Sequence, residues 1–315
     1  MELQSDLWLD QPDAHERIDE RLAQGRLRAA EASALHTFVD AGWLTLSLDL
    51  DRKFFDEFDA EVAKLWKKRP KDLAVSPPGD AGGRTSFRDY DGPIRETGYR
   101  IPDLHSHSKR ALDLYLDPTL FRMVELIFDQ PAVAFQSLYF EHGSQQALHR
   151  DPMFVGANPA SHLLASWVAL EDVTTESGPL SYVPASHRLP WFEFTPGSVV
   201  CGSEVSPAQR AEFAAATENV IRERGLEVQP FTCRRGDAFI WHAGLLHGGT
   251  RIEDPARTRK SFVTHYSTAA HYRSRTARMR VRNGNTWRRV KSTTERVIER
   301  EQQRGLDDPT RSSRR

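Results

Sequence analysis

The chain has 315 residues, with 43 Lys+Arg against 44 Asp+Glu for a formal charge of −1, and 39% of it is hydrophobic. That is a globular balance, which excludes fibrous, collagen-like and wholly disordered chains. No run approaches the roughly 18 consecutive apolar residues of a membrane span, and the start, MELQSDLWLD, has neither the basic nor the apolar stretch of a secretory leader. A cytoplasmic protein with no membrane partner is expected. Cys201 and Cys233 lack the CxxC spacing of a zinc or redox site and read as two free thiols in a reducing compartment. The near-zero charge conceals a split, since residues 271–315 carry 14 Lys+Arg and 5 Asp+Glu on an otherwise acidic body. No aromatic interleaving or nucleic-acid module accompanies Arg273, Arg275, Arg278, Arg280 and Arg282. Docking on the acidic body or plain solvation is therefore favoured over nucleic-acid binding.

Residues 14–40 are rich in Ala, Leu, Glu and Arg, with Leu27, Ala30, Ala34 and Phe38 at helical spacing, and predict one amphipathic helix ended by Gly42. Residues 43–48 alternate as a half-buried strand does, and Phe54, Phe58, Val62 and Trp66 mark a helix over 53–67. Pro and Gly crowd residues 69–98, which predicts a lid or binding loop, and helical patterning over 109–129 breaks near Asp117-Pro118. After Pro131 the pattern changes to short apolar runs at 132–141, 162–172, 180–184, 237–241 and 259–267, bounded by Gly, Pro, Asn and Asp. This is the signature of an antiparallel sandwich or barrel. Residues 189–230 form an insertion, helical around 208–224, and a second lid candidate. The expected fold is mainly β, a jelly-roll core over about 131–268 with an α layer over about 14–130, in one domain of residues 1–270 followed by a basic extension, 271–315.

The sharpest chemical feature is His149-Arg150-Asp151. In an extended segment residues i and i+2 share a face, so this imidazole and carboxylate can converge on one metal ion. One further histidine makes a 2-His-1-carboxylate triad of the kind that leaves coordination positions of Fe(II) open. His242 and His247 compete for that place; the glycines beside His247 permit close approach, whereas His242 ends an apolar strand as a hydrogen-bonded core histidine can. Arg259, Ser261 and Val263 share one face of the last strand. An arginine aimed into a barrel is costly without a counter-charge, and no Asp or Glu stands at a partnering position. A dianionic ligand gripped by the guanidinium fork answers that cost; an Arg259 on the outer face is the alternative.

The ordered set His149-Arg150-Asp151, Trp167-x-Ala169-Leu170-x-Asp172-Val173, Ser177-Gly178-Pro179-Leu180, Pro184-x-Ser186-His187, Gly236-Asp237, His247-Gly248 and Arg259-Lys260 resembles the phytanoyl-CoA dioxygenase family of Fe(II)/2-oxoglutarate-dependent oxygenases. The resemblance spans about residues 30–268. It implies a double-stranded β-helix holding Fe(II) through His149, Asp151 and His247, with 2-oxoglutarate as cosubstrate and O2 as oxidant. It further implies that Arg259 binds the far carboxylate of 2-oxoglutarate, that Trp167 lies beside it, and that Gln136 faces the site. Two departures stand out. The usual P-G-S-H turn reads Pro184-Ala185-Ser186-His187, and the hydroxyl residue two after the distal histidine is Gly249, which points to Ser261 as a replacement contact.

The implied reaction is hydroxylation or a related oxidation of an unactivated C–H of a small molecule, with release of succinate and CO2. Related halogenases carry a small residue where this chain has Asp151, so the carboxylate argues for hydroxylation or a related oxidation over halogenation. A non-catalytic jelly-roll binding module, or a cupin-type metalloenzyme that does not use 2-oxoglutarate, are the alternatives; intact His149, Asp151, His247 and Arg259 count against the first and Arg259 against the second. The mixed basic and aromatic residues Arg84, Arg88, Asp89, Asp91, Arg95, Tyr99 and Arg100, with Trp191, Phe192 and Phe194 of the insertion, suit an anionic or carrier-linked small molecule; a solvated loop with ordinary core anchors is an equal reading. Oligomeric state leaves no mark in the sequence.

Overall fold

The computed structural model describes residues 5–76, 84–92, 98–155, 159–201, 205–272, 279–282 and 285–288. Where one N-terminal helix is expected there are two, α1 (Ala14–Ala23) and α2 (Ala29–Ala41). Gly25 adopts φ 70° and breaks the run, and α2 restarts where the Glu31 carboxylate accepts from the Arg28 backbone N–H. Glycine tolerates the left-handed conformation that other residues resist, so propensity alone did not reveal the break. Gly42 closes α2 at φ 80°, and a Cβ there would fall 2.4 Å from His187 Nδ1. Strand β1 (Trp43–Ser47) follows, then α3 (Arg52–Lys68), whose Asp51 carboxylate caps the Phe54 N–H.

The described parts of residues 69–98 are built into the helical layer. A two-residue hairpin, β2 (Ala74–Val75) with β3 (Thr85–Ser86), brings Phe87 and Tyr90 against Trp66 of α3, with ring centroids 4.4 and 5.9 Å away. Residues 77–83 and 93–97, with Arg95, lie outside the described residues. Strand β4 (Arg100–Pro102) leads to α4 (Lys109–Tyr115) and α5 (Pro118–Phe128). Ser108 caps the first of these helices, and Asp117 followed by Pro118 caps the second, an arrangement suited to a helix start because the N1 position needs no N–H.

The β core comprises β5 (Ala132–Phe140), β6 (Leu164–Ala169), β7 (Leu180–Tyr182), β8 (Gln229–Phe231), β9 (Asp237–His242), β10 (His247–Gly249) and β11 (Ser261–Thr268), with α6 (Pro207–Glu223) in the insertion between β7 and β8. The larger sheet runs β1-β9-β6-β11-β5, and the smaller one runs β10-β7-β8. Both faces of the larger sheet are buried. Val168, Ile240 and Phe262 point into a core shared with the helices, while Trp167, Phe239, Trp241 and Val263 join Leu180 and Tyr182 of the smaller sheet in a second core. The period-2 alternation thus sorts residues between two apolar layers, and each large side chain buried there contributes about 1.5–3 kcal/mol.

Two further strands, β12 (Met279–Arg282) and β13 (Asn285–Arg288), lie within the basic extension. β13 pairs with β5 in parallel at Val133 and Ala134, while β4 pairs with the other end of β5. Trp287 is buried, edge-on to His105 and Tyr115, and the Arg282 guanidinium meets Asp113 at 2.9 Å. The described part of the extension therefore completes the sheet edge, where one of its arginines docks on the acidic body. Arg273, Arg275, Arg278 and residues 289–315 lie outside the described residues.

Candidate metal centre and cosubstrate pocket

The chain enters the site along residues 144–149, which run beside β10. His149 and His247 form an antiparallel bridge, each backbone N–H donating to the other's carbonyl at 2.9 and 3.0 Å. Their rings lie 4.4 Å apart. Each imidazole also directs Nδ1 at the carbonyl two residues upstream, Ala147 at 2.9 Å and Leu245 at 3.0 Å. That contact selects the tautomer with the proton on Nδ1 and leaves the Nε2 lone pair free for a metal. Asp151 follows at the start of a 3-10 turn, with its Oδ1 3.4 Å from His247 Nε2 and 4.0 Å from His149 Nε2. The three ligand atoms lie within 4.8 Å of one another and all three residues are buried. Burial and the neighbouring His247 hold His149 down to about 3, against the pull of Asp151, so its imidazole is neutral at physiological pH. Burial works against the Asp151 carboxylate, but His247 and His265 more than offset it and keep it well below the usual range.

Neighbouring groups fix this geometry. Trp241 Nε1 donates to Asp151 Oδ2 at 2.9 Å, which leaves Oδ1 directed at the histidines. The Ser186 hydroxyl accepts from the Leu246 N–H at 2.8 Å just before His247. Arg150, between the two ligands, turns away into the insertion: it donates to the carbonyls of Pro190, Ser186 and Leu189 and packs 4.8 Å from the Trp191 ring. Phe192, Phe194 and Phe213 cluster with Met153 and Leu246 directly behind the ligand segments, so the described part of the insertion buttresses the centre. His242, the competing histidine, points out of the site, where its Nε2 lies 3.2 Å from Asp10.

A cavity extends from the triad, lined by Arg100, Phe140, Ser144, Gln146, Trp167, Leu180, Trp241, Arg259, Val263 and His265 among others. Arg259 is buried, with its guanidinium 5.4 Å from the Trp167 ring and 5.7 Å from Phe140. Its Nη1 donates to Ser261 Oγ at 2.8 Å and its Nε has no partner. Burial lowers Arg259 to about 10, so it remains a cation facing this cavity. Gln136 does not line the cavity. It lies one pair beyond Leu138 on the same face of β5, opposite His265, with its Oε1 unpartnered.

Site residues that the sequence reading missed include Trp241, His265 and Ser144. His265 continues the inward row Arg259, Ser261, Val263 on β11, and its Nε2 lies 3.7 Å from Asp151 Oδ1; the period-2 alternation that placed Arg259 inside could have found it. Ser144 has no sequence signal. A Cβ on Gly249 would fall 2.6 Å from Ser144 Oγ and 2.8 Å from the Gln145 nitrogen, so a side chain does not fit there and the hydroxyl at that place comes from Ser144.

The model of the phytanoyl-CoA dioxygenase (PhyH) family matches residues 94–260, which hold the triad and Arg259. Phytanoyl-CoA dioxygenase domain-containing protein 1 is 24% identical over 180 residues in Mus musculus and 29% over 178 in Bos taurus. Each alignment covers 53% of this chain, with 56% and 52% of the relatives, so the chain spans about half the length of the curated relatives it matches. Among solved structures, the epimerase SnoN in complex with Fe3+, alpha ketoglutarate and nogalamycin RO is similar at a TM-score of 0.58 and 20% identity, covering 83% of this chain and 99% of that one. EctD from S. alaskensis with 2-oxoglutarate and 5-hydroxyectoine is similar at 0.51 and 18%, covering 78% and 77%. These likenesses establish the jelly-roll fold, and the match over residues 94–260 places the chain in the phytanoyl-CoA dioxygenase family.

Proposed function

We propose that the protein is an Fe(II)- and 2-oxoglutarate-dependent dioxygenase that oxidises a C–H bond of a small molecule. One observation carries this reading: a buried 2-His-1-carboxylate cluster shares its cavity with Arg259, a buried cation that makes no ion pair with any carboxylate among the described residues. The donor set fits Fe(II), which takes imidazole and carboxylate ligands and keeps open positions in this triad. The orphaned Nε of Arg259 fits an anion that completes its hydrogen bonding.

When bound, iron and 2-oxoglutarate supply an O2-driven oxidation in which 2-oxoglutarate becomes succinate and CO2 while the substrate is hydroxylated. His149 and His247 would contribute Nε2 donors, and Asp151 would contribute one negative charge through the oxygen that Trp241 leaves free. Arg259, steadied by Ser261 and beside the Trp167 ring, would hold the far carboxylate of 2-oxoglutarate. With Fe(II) and 2-oxoglutarate in place, their charges and those of Asp151 and Arg259 would cancel, the condition under which a buried ionic assembly is tolerated. Phe154, 47% exposed, places its ring edge-on to His149. Arg100 in the lining supports a substrate bearing a negative group.

Purified protein incubated with Fe(II), 2-oxoglutarate and O2 is expected to form succinate, with omission of either iron or 2-oxoglutarate stopping it. Succinate formation by Asp151→Ala at the parental rate would contradict the proposal.

A further inference from the structure

Outside the triad, Asp6, His162 and His271 bring three further ligand atoms within 4.8 Å of one another. Asp6 precedes a 3-10 turn at Trp8–Asp10, His162 ends the turn before β6, and His271 follows β11. His162 Nε2 lies 2.7 Å from Asp6 Oδ1, and the two imidazole rings are 3.8 Å apart. Both rings are held from behind. His162 lies parallel to Phe128, with centroids 5.9 Å apart and 5° between planes. His271 Nδ1 is 2.7 Å from the hydroxyl of buried Thr268, which anchors that ring. His162 is 1% exposed and its Nδ1 has no partner, and its Nε2 is the nitrogen that meets Asp6.

We infer that Asp6, His162 and His271 form a second divalent-metal site, of the zinc type, separate from the catalytic triad. Two imidazoles and one carboxylate are a donor set for Zn2+, and for Co2+ or Ni2+ in its place, rather than for Mg2+ or Ca2+, which prefer oxygen. The two rings lie together beside one carboxylate, close enough for a single cation to take a ligand atom from each of the three groups. The exposure of Asp6 leaves the remaining coordination position to water, so the ion exchanges with solvent.

Such an ion joins three distant parts of the chain. Asp6 opens a segment whose Leu7, Trp8 and Leu9 are buried, with Trp8 Nε1 donating to the Leu126 carbonyl at 3.0 Å. Tyr272, next to His271, stacks on Phe135 at 5.1 Å, and Phe135 lies 6.2 Å from His265 of the catalytic cavity. The site thus pins the N-terminal strap to the ends of β6 and β11 and steadies a wall that reaches the cavity.

The test is a Zn2+ titration of metal-free full-length protein in competition with a chromophoric chelator. The proposal predicts that Asp6→Asn/His271→Gln takes up one equivalent fewer than the parent, and that Asp151→Ala/His247→Ala retains the equivalent which that pair removes. Equal stoichiometry in the parent and Asp6→Asn/His271→Gln overturns it, whatever the triad binds. Circular dichroism checks that the variants fold. Should the double variant not fold, Asp6→Asn alone, a change at an exposed side chain, is expected to weaken this equivalent by at least about tenfold, and unchanged affinity overturns the proposal equally.

Discussion

His149 and His247 are joined through their backbones before any metal is considered: each donates its N–H to the other's carbonyl, at 2.9 and 3.0 Å. The spacing of two candidate ligands is therefore set by strand register, and Gly248 is what lets the two segments approach. A Cβ on Gly248 would fall 2.6 Å from the Gln146 carbonyl oxygen. Gly248→Ala is expected to destabilise the fold by about 1–3 kcal/mol, as overpacking does, and to weaken Fe(II) binding. Denaturant unfolding together with a competitive metal titration measures both.

Trp241 acts on the centre through Asp151, to which its Nε1 donates at 2.9 Å. Trp241→Phe removes the donor while keeping an aromatic ring in the second core. Groups that orient metal ligands typically account for roughly 10- to 100-fold in affinity, and a loss of that size is expected in Fe(II) binding. A variant binding as tightly as the parent shows that Asp151 is positioned without this contact.

Arg259 differs from a structural arginine in having a cavity where a carboxylate partner would stand. Arg259→Gln is expected to weaken 2-oxoglutarate binding by roughly 10- to 100-fold, the scale of a lost hydrogen bond to a charged group, with Fe(II) affinity little changed. Arg259→Lys is expected to restore only part, since an ammonium lacks the planar fork. Calorimetric titration of the Fe(II)-loaded variants separates the two affinities.

Glu31 gives the fold an acid-sensitive contact. Burial opposes its ionisation, but hydrogen bonds from the Arg28 side chain and backbone and from Arg122 prevail and lower it to about 2. A carboxyl depressed in the folded state stabilises above its unfolded value, and that contribution fades as pH falls through the folded one. Stability is thus expected to decline from about pH 4.5 towards 2. Glu31→Gln is expected to be less stable at neutral pH and to flatten this decline, which denaturant unfolding at a series of pH values measures.

Much of this architecture was legible because single residues carry local physics. Asp117-Pro118 marks a helix start, the alternation in β6, β9 and β11 marks strands, and the i, i+2 pairing of His149 with Asp151 puts both on one face. What escaped depends on neighbours distant in sequence. β10, β12 and β13 are too short or too polar to show a pattern, and β13 is a strand through its pairing with β12 and with the edge of β5. His242 and His247 both sit beside apolar strands, and His242 faces away from the site, where it meets Asp10 and the Gly244 N–H. Gln136 shares the correct face of β5 but lies one pair too far along it to line the cavity, because alternation fixes a face and not a depth. Ser144 stands in for the hydroxyl absent at Gly249 through a close approach that no sequence pattern records.

The central claim is that the triad and Arg259 together hold iron and 2-oxoglutarate. Anaerobic titration of the Fe(II)-loaded protein with 2-oxoglutarate, followed by the visible charge-transfer absorption of the chelate, tests it most directly. The account predicts a saturable band in the parent protein, its loss in Asp151→Ala, and its shift to much higher 2-oxoglutarate concentration in Arg259→Gln. A parent that develops no band, or variants that develop it at the parental concentration, would contradict the account.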